Sequence, residues 1–278
     1  MRARWFLTVV VAAALLVAAC SDSNDSSSDT KKSTTTTEIT QSSPKPPKTL
    51  EILVTNDDGV KAEGIDVLTK GLRSIEDVHV TVVAPATQES GTGGKATPGK
   101  LEVTDTTLAS GYPAKAVSGY PADTVRVAID EMKLKPDLVV AGVNQGQNLG
   151  ALVDVSGTVG AARAAVAHGI PALSVSEGLV ADIDYQAAMP FVLGWVQDHR
   201  LVLVDHTQPK QVTNMNIPSC TSGEAKQPVE VPLAPAGTAG ALVAQDCTST
   251  LKDPPNDIVA FNAGYVTITD PIPATPAK

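Results

Sequence analysis

Residues 52–60 read ILVTNDDGV, and the reading of the fold turns on them. Ile52, Leu53, Val54 and Thr55 suit a strand, which runs directly into Asn56, Asp57, Asp58 and Gly59. A strand apolar on both faces belongs inside a parallel sheet covered by helices on each side. Two adjacent carboxylates at its end repel each other and resist the loss of water. Locally, two readings stand open. Asp58-Gly59 is a plain Asp-Gly turn with Asp57 in solvent, or the pair forms half of a cation's shell.

Outward from this stretch, further strands are predicted at 78–85, 137–143 and 171–176, the first being extended to 50–56. Helical periodicity lies between them. In 63–75 Ile65, Leu68, Leu72 and Ile75 mark one face, and in 121–133 Pro121 opens a stripe of Val125, Ala128, Ile129 and Met132. Residues 156–168 are alanine-rich, and 184–199 carries Phe191, Leu193 and Trp195 despite Pro190. Apolar strands alternating with helices predict an α/β fold with a doubly wound, mostly parallel sheet. Beyond Pro209 prolines are frequent and only short β-like pieces appear, at 211–217 and 264–269. They predict an irregular, β-containing C-terminal lobe packed on the sheet.

The chain has 278 residues, of which the first 48 read differently from the rest. Arg2 and Arg4 precede an apolar run from Trp5 to Ala19, too short for a membrane span and without stop-transfer charges. Residues 1–19 therefore read as a secretory leader. Its end, Val17-Ala18-Ala19-Cys20, resembles a bacterial lipobox, which implies cleavage before Cys20 and lipidation of its sulfur; an ordinary signal peptide is the alternative. Two acyl chains suffice for stable anchoring. Residues 20–48 then hold the lipidated cysteine and a Ser/Thr/Pro-rich tether with Ile39 as its one aliphatic side chain, too polar to bury a core. Residues 49–278 remain as one domain. This places the protein outside the cytoplasm, on a bacterial envelope membrane.

Loss of the leader removes two arginines and no acids, taking the formal charge from −9 to −11. An acidic chain without a basic cluster is no partner for a nucleic-acid polymer. Cys220 and Cys247 remain as a pair in an exported protein, where disulfides persist, and are expected to bond.

In an open parallel sheet, ligands bind outside the carboxyl ends of the strands. Three polar clusters fall there: Asn56-Asp57-Asp58, Ser90 with Gly91, and Asn144 to Gly150. Two carboxylates with neutral oxygens from Ser and Asn suit one hard divalent cation, Mg²⁺ or Mn²⁺. Ser156 is placed as an N-cap, with Gly157 and Thr158 in the first helical turn, a geometry that serves anions as well as plain capping. The stretch SGTGGKAT lacks the first P-loop glycine, since position 89 is Glu89, and Lys95 is followed by Ala96. No histidine falls in a motif and no G-x-S-x-G elbow is present, which argues against a serine-triad hydrolase.

Taken together, ILVTNDDGVKAEGI, VVAPATQESG, VAGVNQGQNLGALVDVSGTVGAA and GIPALSVS resemble the SurE family, as do NMNIP (214–218) and AGYVTIT (263–269) further on. The resemblance implies a Rossmann-like domain that hydrolyses nucleoside 5′- or 3′-monophosphates with a divalent metal. It also implies a homodimer or homotetramer that exchanges C-terminal segments. Carried over, the metal ligands are Asp57, Asp58, Ser90 and Asn144, with Asn56 in the same catalytic pocket. Asn148, Ser156, Gly157 and Thr158 would bind the substrate phosphate. The chain departs from the family at Ala86 to Glu89, where an Asp-Arg pair is common, and at Val155, often aromatic. A cation near the substrate is thereby lost unless Lys95 replaces it. A SurE-like lipoprotein that binds a small ligand without turnover is the alternative function.

Overall fold

The computed structural model describes residues 48–273, which lie within one compact unit, Pro46–Lys278. The leader, Cys20 and nearly all of the tether lie outside the described residues.

In chain order the elements are β1 (Leu50–Thr55), α1 (Glu63–Leu72), β2 (Val78–Pro85), β3 (Val103–Thr107), β4 (Pro113–Val117), α2 (Pro121–Arg126), β5 (Leu138–Gln145), α3 (Gly157–Ala167), β6 (Ala172–Glu177), α4 (Met189–Val204), β7 (Val212–Ile217), β8 (Lys226–Glu230), α5 (Asp257–Asn262) and β9 (Tyr265–Ile272). The strands form one sheet in the order β3-β4-β2-β1-β5-β6-β7-β9-β8. From β2 through β7 the neighbours β2, β1, β5, β6 and β7 are all parallel. Both faces of β1 are buried. Leu50, Ile52 and Val54 join α1 (Ile65, Leu68, Leu72) and α4 (Val192, Trp195, Val196) in one core. Leu53 joins α2 and α3 (Val125, Val159, Ala161, Ala162, Ala165) in the other. The expected doubly wound α/β architecture is therefore present.

From β1 the chain winds outward to β2 and its neighbours, then returns to place β5 on the other side of β1. The order reverses between β1 and β5, which opens a crevice at their carboxyl ends where no loop crosses. Asn56-Asp57-Asp58 and Asn144 stand at those two ends.

The expected elements shift where local chemistry intervenes. The helix read as 121–133 is regular only to Arg126. It then widens, with the Met132 amide on the Val127 carbonyl, and ends at Lys133 with φ 60°. Pro190 sits in the first turn of α4, where no amide is needed, so it begins the helix rather than breaking it. The C-terminal strands differ more. They do not form a lobe packed on the sheet but extend it, β9 pairing antiparallel to β7 and parallel to β8. The buried strand VTNMNI would otherwise leave a row of amides and carbonyls unpaired. Strands β3, β4 and β8 were not expected: β3 and β8 are edge strands, mostly exposed, β4 joins β3 to β2, and β8 carries Pro228, which only an edge tolerates.

Candidate functional site

The turn after β1 is fixed by its own side chains. Asn56, fully buried, donates its Nδ2 to the Gly59 carbonyl at 2.9 Å. Gly59 has φ 96°, and a Cβ there would press on the Thr87 carbonyl carbon at 3.1 Å. The turn thus hands its two acids to the crevice in a set order.

Asp57 is buried against the start of α3. Its Oδ1 accepts the Thr158 hydroxyl at 2.5 Å. A Cβ on Gly157 would lie 2.7 Å from the Asp57 Cβ, so glycine is what lets the carboxylate reach the helix end. Burial pushes the Asp57 carboxyl up, and the Thr158 hydroxyl and the Gly157 and Thr158 amides pull against it. The dipole of an 11-residue helix favours a negative charge at this end as well. Ser156 caps the same helix by accepting the Val159 amide at 3.1 Å. The polar groups of Gly157 and Thr158 are accordingly turned to Asp57.

Asp58 is half-buried. Burial, and then the neighbouring Asp57 charge, push its carboxyl up to about 6, while the Gln145 amide donates to it and lowers it. That amide brings the end of β5 beside Asp58 and Asn144 with it. A bulge after Ala141 turns the end of β5, with Gly142 at φ 145° under the Val175 carbonyl. Asn144 then donates to the Gly146 carbonyl at 2.6 Å, a bond that leaves its amide oxygen uncommitted. On the other side the Glu89 amide donates to the Asp57 carbonyl at 2.7 Å, which sets exposed Ser90 next to the pair. The loop behind it rests on α3: the Gly93 amide bonds the Val155 carbonyl, and Gly160 leaves room for the Gly93 oxygen.

Asn148 is anchored in a buried polar network at the ends of β6 and β7. Its amide donates to Asn216 Oδ1 at 2.7 Å and its Nδ2 to Ser176 at 2.8 Å, while its carbonyl accepts from Asn214 and Asn216. Ser176 pairs with Asn144 across β5 and β6, which connects the network to the crevice. Sequence reading gave Ser174, Ser176, Asn214 and Asn216 no role in the site. The signal was present as polar residues at every second position of otherwise apolar strands. Of the positions that depart from the resemblance, Val155 is exposed; Lys95, named as the replacement for the lost cation, has its ammonium 5.9 Å from the centre of the Tyr120 ring. Cys220 and Cys247 are joined in a disulfide.

The donor chemistry fits a divalent cation. Among the described residues no three His, Cys, Asp or Glu side chains gather, so a cation here would rest on two carboxylates and neutral oxygens. Asn56 Oδ1 is buried without a hydrogen-bond partner, burial raises both acids, and neither is in a salt bridge among the described residues. An oxygen-only set of this kind suits Mg²⁺ or Mn²⁺. Asp57, Asp58, Asn144 and Ser90 are the residues that would hold it.

Comparison with known proteins points the same way. The family model described as Survival protein SurE matches residues 52–237. A protein named 5′-nucleotidase SurE from Synechococcus sp. (strain JA-3-3Ab) is 34% identical over 238 residues, covering 79% of this chain and 90% of its own. One of the same name from Prochlorococcus marinus (strain MIT 9313) is 41% identical over 175 residues, and the match spans 64% of its length. The crystal structure of the SurE protein from Aquifex aeolicus superposes with a TM-score of 0.65 at 26% identity, covering 82% of this chain and 95% of that one.

Proposed function

The chain belongs to the SurE family, and from that premise we propose that it is a divalent-metal-dependent phosphomonoesterase acting on nucleoside 5′- or 3′-monophosphates, exported and lipid-anchored through Cys20. The observation that carries the proposal is the convergence of Asp57 and Asp58 with Asn144 and Ser90, through the Gln145 and Glu89 amides, at the sheet's reversal point. The names of the relatives support the substrate class.

When bound, the cation supplies positive charge to the phosphoryl group and a water of lowered pKa. The chain's own residues do the positioning. Asp57 is held in one orientation by Thr158 and the first amides of α3. Asp58, partly exposed and bonded to the Gln145 amide, is the acid with an oxygen to spare for orienting or deprotonating the water. Ser156 and Asn148 receive the phosphate, with the positive end of α3 behind them. Homodimers or homotetramers belong to the same reading.

The test is phosphate release by the full chain from 5′-AMP, 3′-AMP and p-nitrophenyl phosphate. Each is measured with Mg²⁺ or Mn²⁺, with chelator, and for Asp57→Asn. Metal-dependent release lost in Asp57→Asn is expected; none from any substrate overturns the activity. Release unchanged by Asp57→Asn overturns the site. Incorporation of labelled fatty acid that Cys20→Ser does not abolish overturns the anchor.

A further inference from the structure

A cavity of about 730 Å³ opens beyond the end of β6, where Glu177 stands beside Gln145 of β5. Its lining holds four carboxylates, from Glu177, Asp182, Asp184 and Glu224, and no Lys, Arg or His. None of the four is in a salt bridge among the described residues. Phe191 and Pro218 supply apolar wall. Glu177 is the unusual member. It is 1% exposed, lines the cavity, and its Oε2 is buried with no hydrogen-bond partner. An unpaired buried carboxylate oxygen is a large local cost, and native structures rarely keep one without a use.

The geometry points to a binding site for a small organic ammonium ion on an apolar stem, with its N–H groups on Glu177 and its stem along Phe191 and Pro218. A metal ion fits poorly, because no three of these acids come together as a ligand set. An ammonium group donates up to three hydrogen bonds, which would satisfy Oε2, and its charge suits both the surrounding acids and the face of Phe191. The volume matches a molecule rather than a bare ion. Burial, and then the charge of Asp184, push Glu177 up to about 8, so the cavity presents a neutral acid that a bound cation would turn into an ion pair. Asp184 itself is held by accepting the Gln186 amide at 3.0 Å.

Direct titration of the full chain by calorimetry tests the site without reference to turnover. The probes are n-butylammonium, its neutral counterpart 1-butanol, and Mg²⁺. Saturable binding of butylammonium at one site is expected, with butanol weaker by roughly tenfold or more, the scale of one charged hydrogen bond. Glu177→Gln should weaken butylammonium by a similar factor while the circular-dichroism melt stays cooperative. Glu224→Gln, at an exposed position, gives a second reading should the buried variant fail to fold, and should weaken binding severalfold. No saturable binding up to millimolar probe overturns the proposal. So does equal binding of butanol, displacement of the probe by one equivalent of Mg²⁺, or affinity unmoved in both variants.

Discussion

The Thr158 hydroxyl donates to Asp57 Oδ1 across 2.5 Å and so ties the start of α3 to the end of β1. Both groups are buried, so the bond is short of competition from water. Thr158→Val keeps the shape and removes the donor. It should cost about 1.5–3 kcal/mol, the range for a hydrogen bond to a charged group. The Asp57 carboxyl should also rise further, because one of the groups holding it down is gone. Phosphate release should fall with it, and Thr158→Ser should recover most of both losses. A melt and a rate for each variant decide the matter; full activity in Thr158→Val would refute the positioning role.

Gly160 makes room for the loop that carries Ser90. A Cβ there would stand 2.0 Å from the Gly93 carbonyl oxygen, a backbone atom with nowhere to go. Gly160→Ala should therefore lift residues 91–94 and cost roughly 1–3 kcal/mol through overpacking. Metal affinity should drop as Ser90 moves. Gly194→Ala on α4, where a Cβ meets nothing within 4 Å, is the control, and helix propensity should make it about 1 kcal/mol more stable. If both variants melt alike, the packing argument is wrong.

Asn216 holds the main chain of Asn148 from below. Asn216→Ala strands the Asn148 amide in a buried site and should cost about 1–3 kcal/mol. Turnover should suffer more in KM than in stability-matched controls, because Asn148 faces the substrate phosphate in the proposed mechanism. An unchanged KM would remove Asn148 from the site.

The acids at the crevice and cavity set a pH dependence. Asp58 is raised to about 6 from an ordinary 3.8, and Glu177 to about 8 from 4.5. The folded state therefore keeps protons that the unfolded chain has already lost. Stability falls as pH rises through this window, from about 4 to about 8. Thermal melts in chelator should give a lower Tm at pH 8 than at pH 5, and Mg²⁺ at pH 8 should restore part of it. Glu177→Gln should flatten the upper part of the curve. A Tm that climbs from pH 5 to 8 in chelator contradicts the assignment.

The disulfide closes a loop of sequence separation 27, which by loop entropy contributes about 3.5 kcal/mol. Reduction, or Cys220→Ser with Cys247→Ser, should lower the Tm accordingly. Thiol titration of the unfolded, unreduced protein should find no free thiol among these two. Finding both free would disprove the bridge.

Much of the fold was legible because buried strands and amphipathic helices carry their own periodicities. Leu50, Ile52 and Val54 against Leu53 already imply two covered faces. Strands β3, β4 and β8 were not legible, since an exposed edge strand such as VTDTT has no apolar pattern to read and PAKAV is too short and too mixed to show one. The site was partly legible. Paired acids at a strand end stand out, whereas Ser176 and Asn216 look like ordinary strand residues until the sheet aligns them.

The sequence by itself determined the doubly wound sheet, the place of Asn56-Asp57-Asp58 at the end of its central strand, and the Ser156 cap, because each follows from neighbours a few residues away. Only the tertiary structure decided that Thr158 and the Gly157 amide serve Asp57, that the Gln145 amide steadies Asp58, that β9 extends the sheet, and that Glu177 faces a cavity unpaired. Those relations join residues tens of positions or more apart. They depend on strand order and close backbone approach, which no local pattern encodes.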